Sequence, residues 1–375
     1  MRILLTTERT QAVSTLINLE NLRRLDEIDG VTFTAFRQDY ENFDVVLFMG
    51  YDPRIREAQA ANPAAKIGVI DIRPGTLEAA RGADFLVSNG PEMSAMAARY
   101  FSNIFEYPIF PEARQQTWAP AAEKPVIVTY HGNRAHATSM FPHVTRALEE
   151  LAQDVPLELH VIYNVRALSP IPKKFLPGRS VRVRTIDWHD RVYERELAQA
   201  DIGIVPNLTP MHRRREALRS TAPYDDAFGA HPSEYLVRYK ATSNAGRILT
   251  FAQHGIPVIA DMFPSAAQII RNGENGYLVH DAFSWYQALR TLCEDPQRRR
   301  EMGQALRATY LEHYSIAALN HRFVAFCRTL PPAREAPAAL SDAEALFDST
   351  DPPADPRAGR TAALWRLFLP GVSTS

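Results

Sequence analysis

Short apolar segments alternate with longer amphipathic segments along most of the chain. The apolar segments have the length of buried strands, and the stretches between them carry apolar residues at helical spacing. Strands that alternate with helices in this way predict a parallel α/β sheet. In the first part of the chain the predicted strands are 2–6, 31–36, 44–50, 66–71, 84–88 and 104–109, and the predicted helices include 11–25, 53–61 and 92–100.

The alternation stops at a polar segment with alanine and proline, 111–124, and then starts again. Such a segment predicts an interdomain linker. Beyond it, the predicted strands are 125–130, 157–163, 181–184, 201–205, 256–260 and 277–279. The predicted fold class is therefore α/β, with two Rossmann-like, doubly wound parallel-sheet domains, 1–110 and 125–330, that face each other across a cleft.

Two segments depart from this pattern. The long loop 209–234 has no element of its own, which predicts a functional or disordered segment. Its basic run, Arg213–Arg215, either meets an anionic lipid or glycan or is simply solvated. The tail 331–375 is rich in proline and alanine and predicts a disordered segment. Its short apolar end, 361–372, either lies on a membrane surface or docks on the body of the protein.

Composition narrows the choice of partners. The chain has 375 residues, which favours two domains over one. Its formal net charge of −1 argues against a nucleic-acid partner. Two cysteines are too few for a disulfide framework, so a reduced cytoplasm is expected. The first residues predict a strand rather than a signal peptide, and no run is long enough to cross a membrane.

The stretch 239–279 predicts a helix, a strand, a second helix, a turn and a strand. Arg247 lies in the first turns of the first helix, and Lys240, Ser243 and Asn244 lie just before it. A helix N-terminus and an arginine that converge on one crevice would bind phosphate, and the alternative is a solvated arginine. Three further candidates for ligand contact follow the next strand: Asp261, Pro264 and Ser265, of which Asp261 and Ser265 can equally be caps.

Two turns at predicted strand ends carry the candidate catalytic groups. His131, Gly132 and Asn133 follow the first strand of the second domain, and a glycine there lets backbone approach a ligand. Asp71 and Arg73 follow a strand of the first domain. Asp71 is a candidate base, His131 a candidate for proton transfer or phosphate binding, and Arg73 a candidate for an anionic acceptor. The alternatives are a turn cap for Asp71 and a structural histidine for His131.

The order of several segments resembles one known family. The second half resembles the C-terminal domain of the GT-B glycosyltransferases, especially the retaining, nucleotide-sugar-dependent, family 4-like members. The resemblance covers roughly 125–330, and in the first domain only the segment ADFLVSNGPEMSAMA is similar. The matching segments are VIVTYHGN, WHDRVYERELAQADIGIVPN, NAGRILTFAQHGIPVIAD, IIRNGENGYLV and WYQALRTLCEDPQRRREMGQALRATYLEHYS.

The resemblance implies roles for several residues. The first domain would take the acceptor and the second the nucleotide-sugar donor. Gly132 and Asn133 would line the donor diphosphate, Arg247 would be the phosphate-binding basic residue, and Lys240 its partner. By the same resemblance 263–267 would approach the donor sugar, and 186–189 with Pro206–Asn207 would border the nucleoside.

The sequence also departs from the family pattern. Many retaining members carry two glutamates separated by seven residues, where this chain has Thr242 and Thr250. The glycine-rich loop after the first strand is replaced by Thr7–Thr10. Either other groups take over these roles, or the donor is unusual, or the protein is inactive.

The resulting functional hypothesis is transfer of a sugar from a nucleotide-sugar to a glycan or lipid-linked acceptor. The alternatives are a nucleotide-sugar epimerase or hydrolase and a catalytically inactive binding subunit. The nucleotide-sugar is a substrate, and no cofactor is expected. Asp225 and Asp226 suggest a metal site, but adjacent carboxylates in a polar loop are usually solvated, so no metal is expected.

Overall fold

The structure is a computed structural model, and it describes residues 1–72, 77–113, 125–188, 193–207, 209–210, 237–238 and 243–331. Several predictions fall outside these residues. They concern most of the linker, the aspartate pair and basic run of the long loop, the apolar tail end, and the residues Arg73, His189, Lys240 and Thr242.

The first sheet is all-parallel and contains six strands in the order β2-β1-β3-β4-β5-β6. Its central strands are buried on both faces, which is why they read as continuous apolar runs rather than as alternating ones. The strands are β1 Arg2–Thr6, β2 Thr32–Ala35, β3 Val45–Met49, β4 Lys66–Ile70, β5 Phe85–Ser88 and β6 Ile104–Glu106.

The second sheet is also parallel and contains six strands in the order β14-β13-β10-β7-β8-β9. A two-residue antiparallel pair, β11 and β12, stands apart from it. The strands are β7 Val126–His131, β8 Leu157–Tyr163, β9 Arg182–Asp187, β10 Ile202–Val205, β11 Thr209–Pro210, β12 Val237–Arg238, β13 Val258–Asp261 and β14 Tyr277–Val279. The predicted class, two doubly wound α/β sheets, is confirmed.

Helices connect the strands. They are α1 Val13–Arg23, α2 Ile55–Ala61, α3 Pro91–Ala97, α4 Arg134–Ala137, α5 His143–Leu151, α6 Val165–Leu168, α7 Tyr193–Leu197, α8 Gly246–Gln253, α9 Pro264–Ile269, α10 Ala282–Glu294, α11 Pro296–Thr309 and α12 Ile316–Thr329. The last three helices have a side-chain cap at the N-terminus. The side chains of Asp281, Asp295 and Ser315 each accept a hydrogen bond from a backbone amide of the first turn.

The apolar pattern predicts a helix from about 242 to 253, but the helix around Arg247 starts later than this. The Asn244 side chain accepts a hydrogen bond of 2.8 Å from the Gly246 backbone amide, so the chain makes a local turn and α8 begins only at Gly246. Arg247 is therefore the second residue of the helix. This start places Ser243 and Asn244 in the turn before the helix.

The last helix, α12, follows the second sheet in sequence but packs on the first sheet. The Phe323 ring lies 6.4 Å from the Phe85 ring and 5.5 Å from the Phe105 ring. Asn320 accepts a hydrogen bond of 2.9 Å from the Tyr107 hydroxyl and donates one of 2.9 Å to the Asn21 carbonyl. One apolar core cluster thus contains residues of both sheets, and this holds the two walls of the cleft together.

Candidate functional site

A cleft of about 430 Å³ lies where strands of both sheets end. Residues that follow carboxyl ends of parallel strands line it, as expected for an open α/β sheet. The first domain contributes Ser14 at the start of α1 and Tyr51 after β3. The second domain contributes the turn 131–133 after β7, Asn207 after β10, and the segment 243–250 at the start of α8.

The turn after β7 needs a glycine at position 132 for two reasons. Its φ of 137° is rarely adopted by residues with a side chain. A Cβ atom there would also lie 2.9 Å from Cδ of Arg247 and 3.1 Å from the Tyr130 hydroxyl. That hydroxyl donates a hydrogen bond of 2.6 Å to the Asn133 carbonyl and fixes the turn. The glycine therefore allows the Arg247 side chain to lie directly against the backbone of the turn.

Arg247 is a half-buried cation on the wall of the cleft. Its guanidinium donates to the Pro206 carbonyl at 3.1 Å and to the Asn207 side-chain oxygen at 3.4 Å, and it lies 5.7 Å from the centre of the Tyr130 ring. Burial lowers the pKa of the guanidinium from its usual value. In the described part of the chain no carboxylate forms an ion pair with it. The Asp261 carboxylate raises that pKa through space, but the guanidinium keeps N–H groups for an anionic ligand, which a desolvated cation is suited to bind.

Asp261 lies behind this wall rather than in the cleft. It is 3% exposed, and one oxygen accepts from the Asn207 backbone amide at 2.6 Å while the other accepts from the Trp285 indole at 2.9 Å. The Asn207 side chain in turn donates to the Ser243 hydroxyl at 2.7 Å. Asp261 thus orients the two residues, Asn207 and Ser243, that line the cleft beside Arg247.

Pro264 and Ser265 begin α9, and neither lines the cleft. The Ser265 backbone amide donates a hydrogen bond of 2.9 Å to the Glu92 carboxylate, and the Ser265 hydroxyl donates to the same carboxylate. Glu92 belongs to α3 of the first domain. A Cβ atom on Gly90 would lie 2.7 Å from the Ser265 hydroxyl oxygen, so the first domain is shaped to admit this contact. In the structure Ser265 links the two domains.

His131 is buried at the end of β7, with 7% of its surface exposed. Its ring lies 5.0 Å from the Phe251 ring, and its Nε2 atom lies 3.4 Å from the Arg247 carbonyl. Burial, reinforced by the nearby Arg247 charge, lowers the pKa of His131 to about 3. The imidazole is therefore neutral at physiological pH. A neutral ring can position Arg247, but it supplies no positive charge to a phosphate.

The low pKa of His131 makes the stability of the protein depend on pH. Between pH 6.5 and pH 3 the unfolded chain binds a proton at this residue and the folded chain does not, so stability falls as the pH is lowered. From pH 7 to pH 5 this residue is expected to cost about 2 kcal/mol. Urea unfolding at both pH values measures it, and a His131→Gln variant should lose less stability over that interval. An equal loss in both proteins would contradict the neutral imidazole.

Asp71 is fully buried and does not line the cleft. Its backbone has a φ of 57°, a left-handed conformation that few non-glycine residues adopt. One carboxylate oxygen accepts from the Tyr51 hydroxyl at 3.1 Å, and the other accepts from the Asn89 amide at 2.8 Å. The group that reaches the cleft is Tyr51, which sequence reasoning missed. The sequence feature that could have identified Tyr51 is its position directly after Gly50 at the end of β3.

Thr250 lines the cleft at one of the two positions where the resemblance predicted glutamate. Its hydroxyl donates a hydrogen bond of 2.9 Å to the Gly246 carbonyl one turn earlier. Among the described residues that line the cleft none is acidic. The polar groups there are hydroxyls, amides, imidazoles and one guanidinium: Ser14, Tyr51, His131, Asn133, His136, Asn207, Ser243, Asn244, Arg247 and Thr250.

The described part of the chain shows neither a metal-binding cluster nor a membrane-spanning helix. It contains no group of three or more His, Cys, Asp or Glu residues placed to hold a metal ion. None of its helices has the length and apolar character needed to span a membrane.

Comparison with other proteins gives matches in structure only. No protein-family model matches the chain, and no curated protein matches it in sequence. Sucrose-phosphate synthase from Thermosynechococcus elongatus aligns with a TM-score of 0.60 and 14% identity, over 88% of this chain and 99% of that one. HepE from Anabaena, in complex with UDP and glucose, aligns with a TM-score of 0.56 and 12% identity, over 88% of this chain and 100% of that one.

TarM aligns with a TM-score of 0.51 and 10% identity. The alignment covers 76% of this chain and 55% of TarM, so the chain spans only about half the length of that protein. These identities are too low to transfer an activity, but the shared arrangement of two parallel sheets across a cleft is clear. The chain has the two-sheet GT-B fold.

Proposed function

We propose that the protein is a glycosyltransferase that moves a sugar from a nucleotide-sugar donor to a glycan or lipid-linked acceptor. The observation that carries the proposal is Arg247, a desolvated cation that forms no ion pair with a described carboxylate and lies on the wall of the interdomain cleft. HepE, which has the same fold, has been crystallised with UDP-glucose. A nucleoside diphosphate places two phosphates in such a site, and their charge increases when the sugar leaves.

The proposed mechanism is electrostatic. As the bond between the sugar and the diphosphate breaks, negative charge develops on the leaving oxygen, and a preorganised cation stabilises that charge. Arg247 is preorganised because Pro206, Asn207 and Tyr130 hold its guanidinium and Gly132 leaves room for its side chain. Lys240, Ser243, Asn244 and Asn133 are proposed to complete the diphosphate site. The transfer is proposed to need no metal ion.

The absence of carboxylates among the described lining residues bears on the choice between a transferase and a hydrolase. Hydrolysis of a glycosidic bond typically uses a pair of carboxyl groups on either side of the sugar. The described wall instead offers groups that bind a leaving diphosphate. This favours transfer over hydrolysis.

The experiment that tests the proposal is a donor screen. UDP-, GDP-, ADP-, dTDP- and CMP-sugars are added to the full-length protein, and thermal stabilisation and nucleotide release are measured. At least one donor is expected to raise the melting temperature, because a ligand that binds only the folded state stabilises it. An acceptor is expected to accelerate nucleotide release.

Other results of the donor screen would overturn the proposal or favour one of the alternative functions. No stabilisation by any donor would overturn the enzyme proposal. Nucleotide release that is independent of acceptor and yields a free or altered sugar would favour a hydrolase or epimerase. Binding without turnover under any acceptor would favour a non-catalytic binding subunit.

A further inference from the structure

A line of hydrogen bonds runs from the cleft into the first sheet. Ser14 and Tyr51 line the cleft, and their hydroxyl groups contact each other. The Tyr51 hydroxyl also lies 3.1 Å from one oxygen of Asp71, and the Asn89 amide lies 2.8 Å from the other. We call Ser14, Tyr51 and Asp71 the hydroxyl relay. It stands on the wall opposite Arg247, and both walls line one cleft.

The relay has a defined direction. An aspartate carboxylate only accepts hydrogen bonds, so Asn89 and Tyr51 both donate to Asp71. Tyr51 has one proton, and donating it to Asp71 leaves its oxygen as the acceptor in the contact with Ser14. Ser14 must then donate to Tyr51. The Ser14 oxygen therefore turns its lone pairs toward the cleft, where it can accept a hydrogen bond from a ligand hydroxyl.

The local backbone holds the relay in place. Asp71 has a left-handed φ of 57°, and a Cβ atom on Gly50 would lie 2.8 Å from the Asp71 carbonyl oxygen. The Tyr51 ring is covered by Arg9, whose guanidinium carbon lies 5.5 Å from the ring centre. Unusual backbone conformations persist where surrounding structure determines them, and they concentrate at functional sites.

We propose that the hydroxyl relay binds the alcohol group of the acceptor and receives its proton during transfer. This inference rests on the proposed glycosyltransferase function. The acceptor oxygen forms a bond to the anomeric carbon of the donor sugar, while the bond from that carbon to the diphosphate breaks and its electron pair leaves with the nucleotide. The acceptor proton passes to Ser14, the Ser14 proton to Tyr51, and the Tyr51 proton to Asp71. Ser14 contacts the substrate, and Tyr51 and Asp71 act through it.

The central test is a Tyr51→Phe variant of the full-length protein, which keeps the ring and removes the hydroxyl. Donor binding is measured by thermal shift with the donors of the screen, and turnover is measured as the nucleotide release that methyl glycoside acceptors add to the release without acceptor. We expect donor binding within twofold of the wild type and kcat lower by about 100-fold, since general-base assistance contributes roughly 10² to 10⁴.

Two companion variants separate a relay from a structural role. Ser14→Ala should show the same loss of kcat, and Ser14→Thr, which retains a hydroxyl, should restore most of it. Tyr286→Phe is the matched control, because Tyr286 lies on α10, bonds to Arg290 and does not line the cleft. In the wild type, the solvent isotope effect on kcat should show that more than one proton moves in the slow step. Tyr51→Phe should abolish this multiple-proton effect.

The outcomes distinguish the relay from the function on which it rests. Wild-type turnover together with undiminished turnover by Tyr51→Phe would overturn the relay and leave the glycosyltransferase proposal intact. A wild-type protein that binds no donor would overturn both. Equal losses for Ser14→Ala and Ser14→Thr would show that packing, not the hydroxyl, is required, and would also overturn the relay.

Discussion

An Arg247→Ala protein is expected to lose most of its donor binding and turnover while remaining folded. Arg247 is the one arginine or lysine among the described residues that line the cleft, and in the proposed mechanism its removal takes away a preorganised charge from the leaving diphosphate. Loss of one such group typically lowers the rate by about 10² to 10³. The measurement is kcat/KM for nucleotide release, with donor affinity from thermal shift. Arg247→Lys should keep part of the activity, since it retains the charge but not the planar guanidinium.

Arg290→Ala is the matched control for this prediction. Arg290 bonds to Tyr286 and Glu294 on α10 and does not line the cleft. Its removal should leave donor binding and turnover unchanged. If Arg247→Ala binds donor as well as the wild type does, the diphosphate site is elsewhere, and the proposed function loses the observation that carries it.

Replacing Asp261 by alanine is expected to destabilise the whole protein. The Asn207 amide and the Trp285 indole would both lose their acceptor in a buried setting. Two buried unsatisfied donors cost about 2 to 5 kcal/mol together. Urea unfolding followed by tryptophan fluorescence measures the loss directly, because Trp285 is itself a partner of the carboxylate.

The same variant separates two roles for Asp261. If the carboxylate only supports the wall, Asp261→Ala should bind donor more weakly, because Asn207 loses its anchor. Added donor should then not restore the free energy of unfolding to the wild-type value. If Asp261→Ala unfolds like the wild type but fails to bind donor, the residue contacts the ligand directly and the structural role is wrong. Asp39→Ala, in the surface Arg37–Asp39 pair, should change the unfolding transition little, since surface ion pairs contribute little stability.

These experiments examine opposite walls of one cleft. Arg247 and its support Asp261 belong to the second domain, where the leaving group is proposed to bind, whereas the hydroxyl relay belongs to the first domain and is proposed to act on the acceptor. The contact between Glu92 and Ser265 and the packing of α12 on the first sheet hold these walls together. Since Arg247 and Tyr51 lie on different walls, the loss of one side chain is expected to leave ligand binding to the other wall intact.

The sequence alone determined the two-sheet architecture. Buried parallel strands must be apolar on both faces, and the helices between them must be amphipathic, so both leave patterns within a short window of residues. The glycine of the turn at Gly132 and the arginine at the start of a helix were also visible, because they follow strand ends and precede helices. These features depend on neighbours in the chain, which is why local patterns predicted them.

The tertiary structure decided which polar groups face the cleft. Asp71 and Asp261 both lie at the carboxyl ends of strands and looked equally available, yet each is buried beneath a partner that reaches the cleft in its place: Tyr51 above Asp71, and Asn207 above Asp261. Ser265 meets Glu92, a residue 173 positions earlier in the chain. The state of His131 depends on its burial beside Arg247 and Phe251, which are more than a hundred residues away in sequence. Contacts between distant segments leave no periodic signal in a single sequence, so only the folded chain assigns these residues to the cleft, to its support or to the link between domains.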